Sequence, residues 1–165
     1  MTVLGIDPGT AACGFGVVQR DGSRLVALDH GWWSTPARER PELRLKRIHD
    51  EVADLIGRYA PEIVVLEESY VGADARTALS VGQARGAALV ACANADVPCV
   101  EYPPATVKQT VCGYGRADKA QVQKMVRAIL RLDEDPTPHH AADALAVAIC
   151  HALASPLLAL AGGKR

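Results

Sequence analysis

Two short apolar runs set the frame for this chain. Residues 3–6 read Val-Leu-Gly-Ile and stop on Asp7; residues 63–66 read Ile-Val-Val-Leu and stop on Glu67. An unbroken apolar run of that length suits a strand covered on both faces, and such strands belong to sheets sandwiched between helices. Buried strands do not usually finish on a carboxylate in a tight turn, yet Asp7 runs into Pro8-Gly9-Thr10. Asp before Pro-Gly is also ordinary turn chemistry, because Asp caps its own backbone and Gly supplies positive φ. Either Asp7 serves its turn, or two strands deliver two carboxylates to one place.

The remaining elements follow from period and punctuation. Residues 12–34 read as two strands about Asp21-Gly22, a strong hairpin signal. Residues 41–61 read as a helix, with Leu43, Leu45, Ile48, Val52, Leu55 and Ile56 on one face and Pro61 at its end. A second long helix spans 74–94, a strand 97–102, and Pro103-Pro104 break the chain. Helices over 118–132, with Asp118 near its start, and over 136–155 complete the pattern. Strands first, then alternating helices and strands, predict an α/β chain: a mixed five-stranded sheet with helices on both faces. Residues 1–156 are expected to form one domain and 157–165 a frayed tail. The pair Trp32-Trp33 is assigned to strand packing.

Composition narrows the class. The chain has 165 residues, 49% apolar and 22% charged, which is the balance of an ordinary globular protein. No apolar stretch approaches the roughly 18 residues of a membrane span, and the N-terminus lacks a secretion-signal pattern. Five scattered cysteines without a Cys-x-x-Cys pair argue against a disulfide framework or a zinc knuckle, and for a cytoplasmic location. The net charge of −1 conceals a local excess: residues 103–132 carry six lysines and arginines against Asp118 alone. A basic surface beside acidic sites suits the holding of anions near a metal.

The carboxylates have a reason to meet. If the strands ending at Asp7 and Glu67 are adjacent and parallel, both acids stand at the carboxyl edge of the sheet, where α/β folds bind ligands. Two carboxylates that close ionise together only with a cation between them. "HHAAD" adds donors on a helix begun by Pro138. His140 stands three residues from Asp143 and His139 four, so spacing admits either histidine. Ala141, Ala142 and Ala144 leave room for an approaching ligand, and Glu68 is expected to face solvent. Oxygen ligands with one imidazole suit Mg2+ or Mn2+ better than structural zinc. Two such ions about 3.5–4 Å apart are the arrangement for in-line phosphodiester hydrolysis.

"GIDPGT", "VVLEE", "LSVGQARGA", "VKQTVCGYGRADKAQVQKMV" and "HHAADALAVAI" together resemble the RuvC-type Holliday junction resolvases, in order and over nearly the whole chain. The resemblance implies a ribonuclease H-like fold, a homodimer, divalent metal, and paired symmetric nicking of four-way junction DNA in recombination and repair. It also implies partnership with a branch-migration helicase complex of the RuvA and RuvB type. By position, Asp7, Glu67, His140 and Asp143 match the family's four metal-binding catalytic residues. Many relatives carry Asp where His140 stands, which leaves the choice of metal open. Tyr70 matches a position whose aromatic stacks on unpaired junction bases. Lys108 and Lys119 match lysines near the scissile phosphate, and Arg76 and Arg116 are further DNA-binding candidates. Ala78, Gly82 and Gly86 share one helix face, either for close packing on the sheet or, as the resemblance implies, for a two-fold dimer.

Two other readings compete. "GIDPGT" also resembles the first phosphate-binding turn of the actin and sugar-kinase group. Those proteins need two domains and repeat the turn, whereas here it occurs once. A related ribonuclease H-like nuclease acting on RNA or on RNA–DNA hybrid would share the same metal site.

Overall fold

The computed structural model describes residues 1–68 and 75–154. β1 (Thr2–Asp7), β2 (Ala12–Asp21) and β3 (Arg24–Ser34) form an antiparallel meander. Its second turn is made at Asp21-Gly22, where Gly22 takes a φ of 58°. α1 (Pro41–Tyr59) carries the chain back to β4 (Ile63–Glu67), and α2 (Ala75–Asn94) to β5 (Cys99–Tyr102). Three helices follow: α3 (Pro104–Cys112), α4 (Lys119–Leu130) and α5 (His139–Leu153). The sheet order is β3-β2-β1-β4-β5, with β4 parallel to both β1 and β5. This is the expected mixed five-stranded sheet. No helix among the described residues is long and apolar enough to cross a membrane.

Strand alternation divides the interior in two. Leu4, Ile6, Val17, Val64 and Leu66 pack against Val52 and Leu55 of α1 and Ala88 and Ala91 of α2. Val3, Val18 and Val65 lie on the opposite face, under Val107 of α3, Val126 of α4, and Leu145 and Ile149 of α5. Asp7 keeps step with Val3 and Glu67 with Val65, so both acids project on the α5 side.

α5 lies unusually close to that face because glycines floor it. A Cβ on Gly5 would stand 2.0 Å from the carbonyl oxygen of Ala144, and one on Gly14 would stand 2.0 Å from that of His140. Gly14 is also the ladder partner of Asp7. The same glycine therefore lowers α5 onto the sheet and sets His140 over Asp7. Gly14→Ala should force the helix off the sheet. Overpacking of this kind costs about 1–3 kcal/mol, readable as a lower urea midpoint, and cleavage should fall with it. An unchanged midpoint would mean that α5 does not rest on Gly14.

Several local expectations are corrected. Pro103-Pro104 do not merely break the chain. Pro103 caps and Pro104 begins α3, since proline is pre-set for a first helical turn, and Gly113 ends it in the left-handed region at φ 72°. Leu43 does not join the buried face of α1; it is 42% exposed, and Arg44 occupies the inner stripe above Ile48 and Val52. Trp33 packs on Phe15 with ring centroids 5.7 Å apart, but Trp32 is largely exposed and is not a packing residue. Asp118 proves to be a full N-cap: its carboxylate accepts from the Gln121 amide, and the Gln121 side chain accepts from the Asp118 amide. Asp74, the expected first residue of the second helix, and the 157–165 tail lie outside the described residues.

Candidate active site

β1 pairs with β4 so that Ile6 faces Leu66. The next residue on each strand, Asp7 and Glu67, thus stands beside its neighbour at the carboxyl edge. α5 enters from above with His140 and Asp143 in its first turns. His140 Nδ1 lies 2.7 Å from an Asp7 carboxylate oxygen. Because an ionised carboxylate only accepts, Nδ1 carries the proton in this contact and donates it. His139, one residue earlier, is exposed. Of the two histidines that spacing admits, packing brings His140 and not His139 to Asp7.

The charges crowd each other. Burial pushes the Glu67 carboxyl up to about 7, with the negative charges of Asp143 and Asp7 adding to the rise. Asp143 is raised as well, first by burial and then by Asp7. Lys119 Nζ stands 3.5 Å from an Asp143 oxygen, too long for a strong charge-assisted bond, so it softens these shifts without cancelling them. Lys108, half-buried on α3, acts on Glu67 in the same direction. The imidazole of His140 is raised by its hydrogen bond to Asp7 and by the charges of Asp7 and Asp143. Glu67 and Asp143, raised by burial and by neighbouring charge, and the raised imidazole of His140 stand with Asp7 as a donor set suited to a cation. They fit a hard divalent metal by chemistry, although no three metal-binding side chains among the described residues yet face one point.

The other candidates are spread around this centre. Arg116 is exposed on the α3–α4 connection and Arg76 is exposed in the first turn of α2. Tyr70 lies outside the described residues. Glu68 is exposed, as expected, while its backbone N–H donates to Tyr102. Sequence reasoning missed the contacts around Thr10, three residues beyond Asp7. Arg44 and Thr35 both bond to the carbonyl of Thr10, and the Thr10 hydroxyl meets that of Ser80 on α2. The overlooked signal was a cation one helical turn ahead of buried Ile48.

Against known proteins, residues 3–151 match the family model described as crossover junction endodeoxyribonuclease RuvC. The chain belongs to that family. The RuvC of Desulfitobacterium hafniense is 48% identical over 163 residues, which is 99% of each chain. That of Chloroflexus aggregans is 51% identical over 158 residues, 96% of each. Among solved structures, Thermus thermophilus RuvC in complex with a Holliday junction substrate superposes with a TM-score of 0.85 at 40% identity, covering 92% of this chain and 93% of that one. This RuvC-family chain is accordingly an endonuclease that resolves Holliday junctions.

Proposed function

We propose that Asp7, Glu67, His140 and Asp143 are the catalytic residues of this resolvase and together hold Mg2+ or Mn2+, two ions to a site. The observation that carries the reading is their convergence on one face of the sheet, with the Glu67 carboxyl raised to about 7 by burial and, after that, by its acidic neighbours. Bound divalent metal supplies a Lewis acid and a water acidic enough to attack phosphate. Asp7 and Glu67 orient and hold charge at the floor of the site. His140 contributes a neutral nitrogen once its proton is released, and Asp143 keeps Lys119 within reach. Lys119 and Lys108 meet the negative charge that grows on the scissile phosphate, while Arg76 and Arg116 hold neighbouring phosphates and Tyr70 stacks on an unpaired base.

The working form in this reading is a homodimer joined through α2, with residues 1–156 as its nuclease domain. Gly82 and Gly86 are supported as part of that face because a Cβ at either would meet nothing within 4 Å among the described residues, which argues against close sheet packing as their explanation. Leu79 and Val90 extend the same exposed stripe. An isologous pair presents two equivalent sites to a four-way junction of approximate two-fold symmetry. The chain works in the cytoplasm beside a branch-migration complex of the RuvA and RuvB type.

The test is a cleavage panel of four-way junction, duplex, RNA–DNA hybrid and single strand, run with magnesium and with manganese. Paired nicks in the junction alone are expected, faster with manganese because imidazole is a softer ligand than carboxylate. His140→Asp should retain cleavage and move the preference towards magnesium; His139→Ala should change little. If the Asp variant is dead with both metals, His140 is acting as a base and not as a ligand.

Lys119→Ala should lower the cleavage rate by about 100-fold, in the range of a lost charge-stabilising donor, with little change in junction affinity. Single-turnover rates beside gel-shift affinities separate the two effects. An unchanged rate would reduce Lys119 to a solvated helix charge.

A further inference from the structure

The segment between Asp7 and β2 has little to hold it locally. Pro8 offers no N–H, and Gly9 is required because a Cβ there would stand 2.3 Å from the carbonyl of Ala12. Its restraint comes from elsewhere. The Thr10 carbonyl accepts from Arg44 Nη2 at 2.8 Å and from the Thr35 hydroxyl. Arg44 Nε in turn donates to Thr35 Oγ1 at 2.8 Å. Thr35 is 5% exposed and its amide points to the Ala11 carbonyl, so both donors approach from the end of β3 and the first turn of α1. Ser80 of α2 closes a third side through the Thr10 hydroxyl.

We propose that Arg44 and Thr35 form a clamp on the Thr10 carbonyl that positions Asp7 for metal, a role that rests on Asp7 being a ligand as proposed above. Neither residue touches the reacting atoms. Arg44 acts through its fork: one guanidinium edge bonds a carbonyl and a hydroxyl at once, which a lysine ammonium on a flexible stem does not reproduce. The geometry explains why a charged residue occupies the inner stripe of α1, where the periodicity of that helix otherwise places aliphatic side chains. It also joins the Asp7 turn to three separate elements, so the carboxylate is held by the fold and not by its own turn.

The experiment is manganese titration into the metal-free, full-length protein, well below its melting temperature, for Arg44→Lys, Thr35→Val and Thr35→Ser. Supporting residues behind a ligand change metal affinity by about 10–100-fold. A roughly tenfold weakening is expected for Arg44→Lys and Thr35→Val, with near wild-type affinity for Thr35→Ser, which keeps the hydroxyl. Cleavage should follow, with kcat reduced, KM for the junction unchanged, and part of the rate restored by excess manganese. A purely structural contribution would lower Tm but leave metal affinity intact in the folded protein. Asp7→Asn is the reference. If it loses manganese affinity while Arg44→Lys and Thr35→Val do not, the clamp is overturned alone. If Asp7→Asn itself binds manganese like wild type, the ligand assignment falls and takes the clamp with it.

Discussion

Asp7→Asn should cut junction cleavage by at least about a thousandfold, the scale seen when one member of a catalytic unit is removed, while junction affinity measured without divalent metal changes only a few-fold. Asparagine preserves the shape, an oxygen, and an acceptor for the His140 Nδ1–H. What it removes is the negative charge, and charge is what a divalent ion would take from this position in the proposed site. The same substitution relieves Glu67, because Asp7 is one of the two carboxylates that push the Glu67 carboxyl upward. The metal-free variant should therefore be at least as stable as wild type above pH 7. Loss of cleavage together with a lower melting temperature would point to simple misfolding. Wild-type cleavage would remove Asp7 from the site.

Cleavage and metal-free stability should respond to pH in opposite directions. The ligand roles proposed above require Glu67 ionised and His140 neutral, and both side chains hold their protons to higher pH than usual. Metal affinity should thus fall as pH drops through about 7, by about tenfold per pH unit for each proton that must leave. Stability of the metal-free fold runs the other way. A carboxyl raised in the native state favours folding in its protonated form, so the Glu67 contribution is lost as pH climbs from the unfolded value of 4.5 through about 7. The raised His140 acts with the same sign: its bond to Asp7 stabilises fully below the unfolded value of 6.5 and fades as pH rises past its native one. Metal-free protein should melt higher at pH 6 than at pH 8, and added manganese should reverse that order. For a chain of this size each kcal/mol moves Tm by about 2–4 °C, well within calorimetric reach. Equal melting temperatures at the two pH values without metal would show that the acidic cluster is not strained.

The strands, the hairpin and the pairing of Asp7 with Glu67 could be read in advance because each rests on local grammar: apolar runs, an Asp-Gly turn, carboxylates at run ends. The choice between His139 and His140 could not. Both satisfy helical spacing with Asp143, and the decision comes from Gly14, a residue on another element that admits the His140 backbone. Arg44 was hidden for a similar reason. A charged side chain on a helix reads as solvent-facing until Thr10 and Thr35, outside its helix, are placed to accept its hydrogen bonds. The helix over Pro104–Cys112 was missed by reading two prolines as an interruption. Val107 and Val111, four apart and followed by Gly113, carried its period and its stop.

Asp7 and His140 are separated by 133 positions, and the hydrogen bond between them joins the first strand to the last described helix. A ribosome adding about 5–20 residues per second needs about 7–27 seconds to traverse that interval. Throughout it the growing chain carries the N-terminal acids with no α5 to cover them and no partner for Asp7. The docking that buries Leu145 and Ile149 against the sheet is the same event that brings His140 to Asp7. In the reading proposed above, a chain that stops before α5 should therefore be unable to cut junctions.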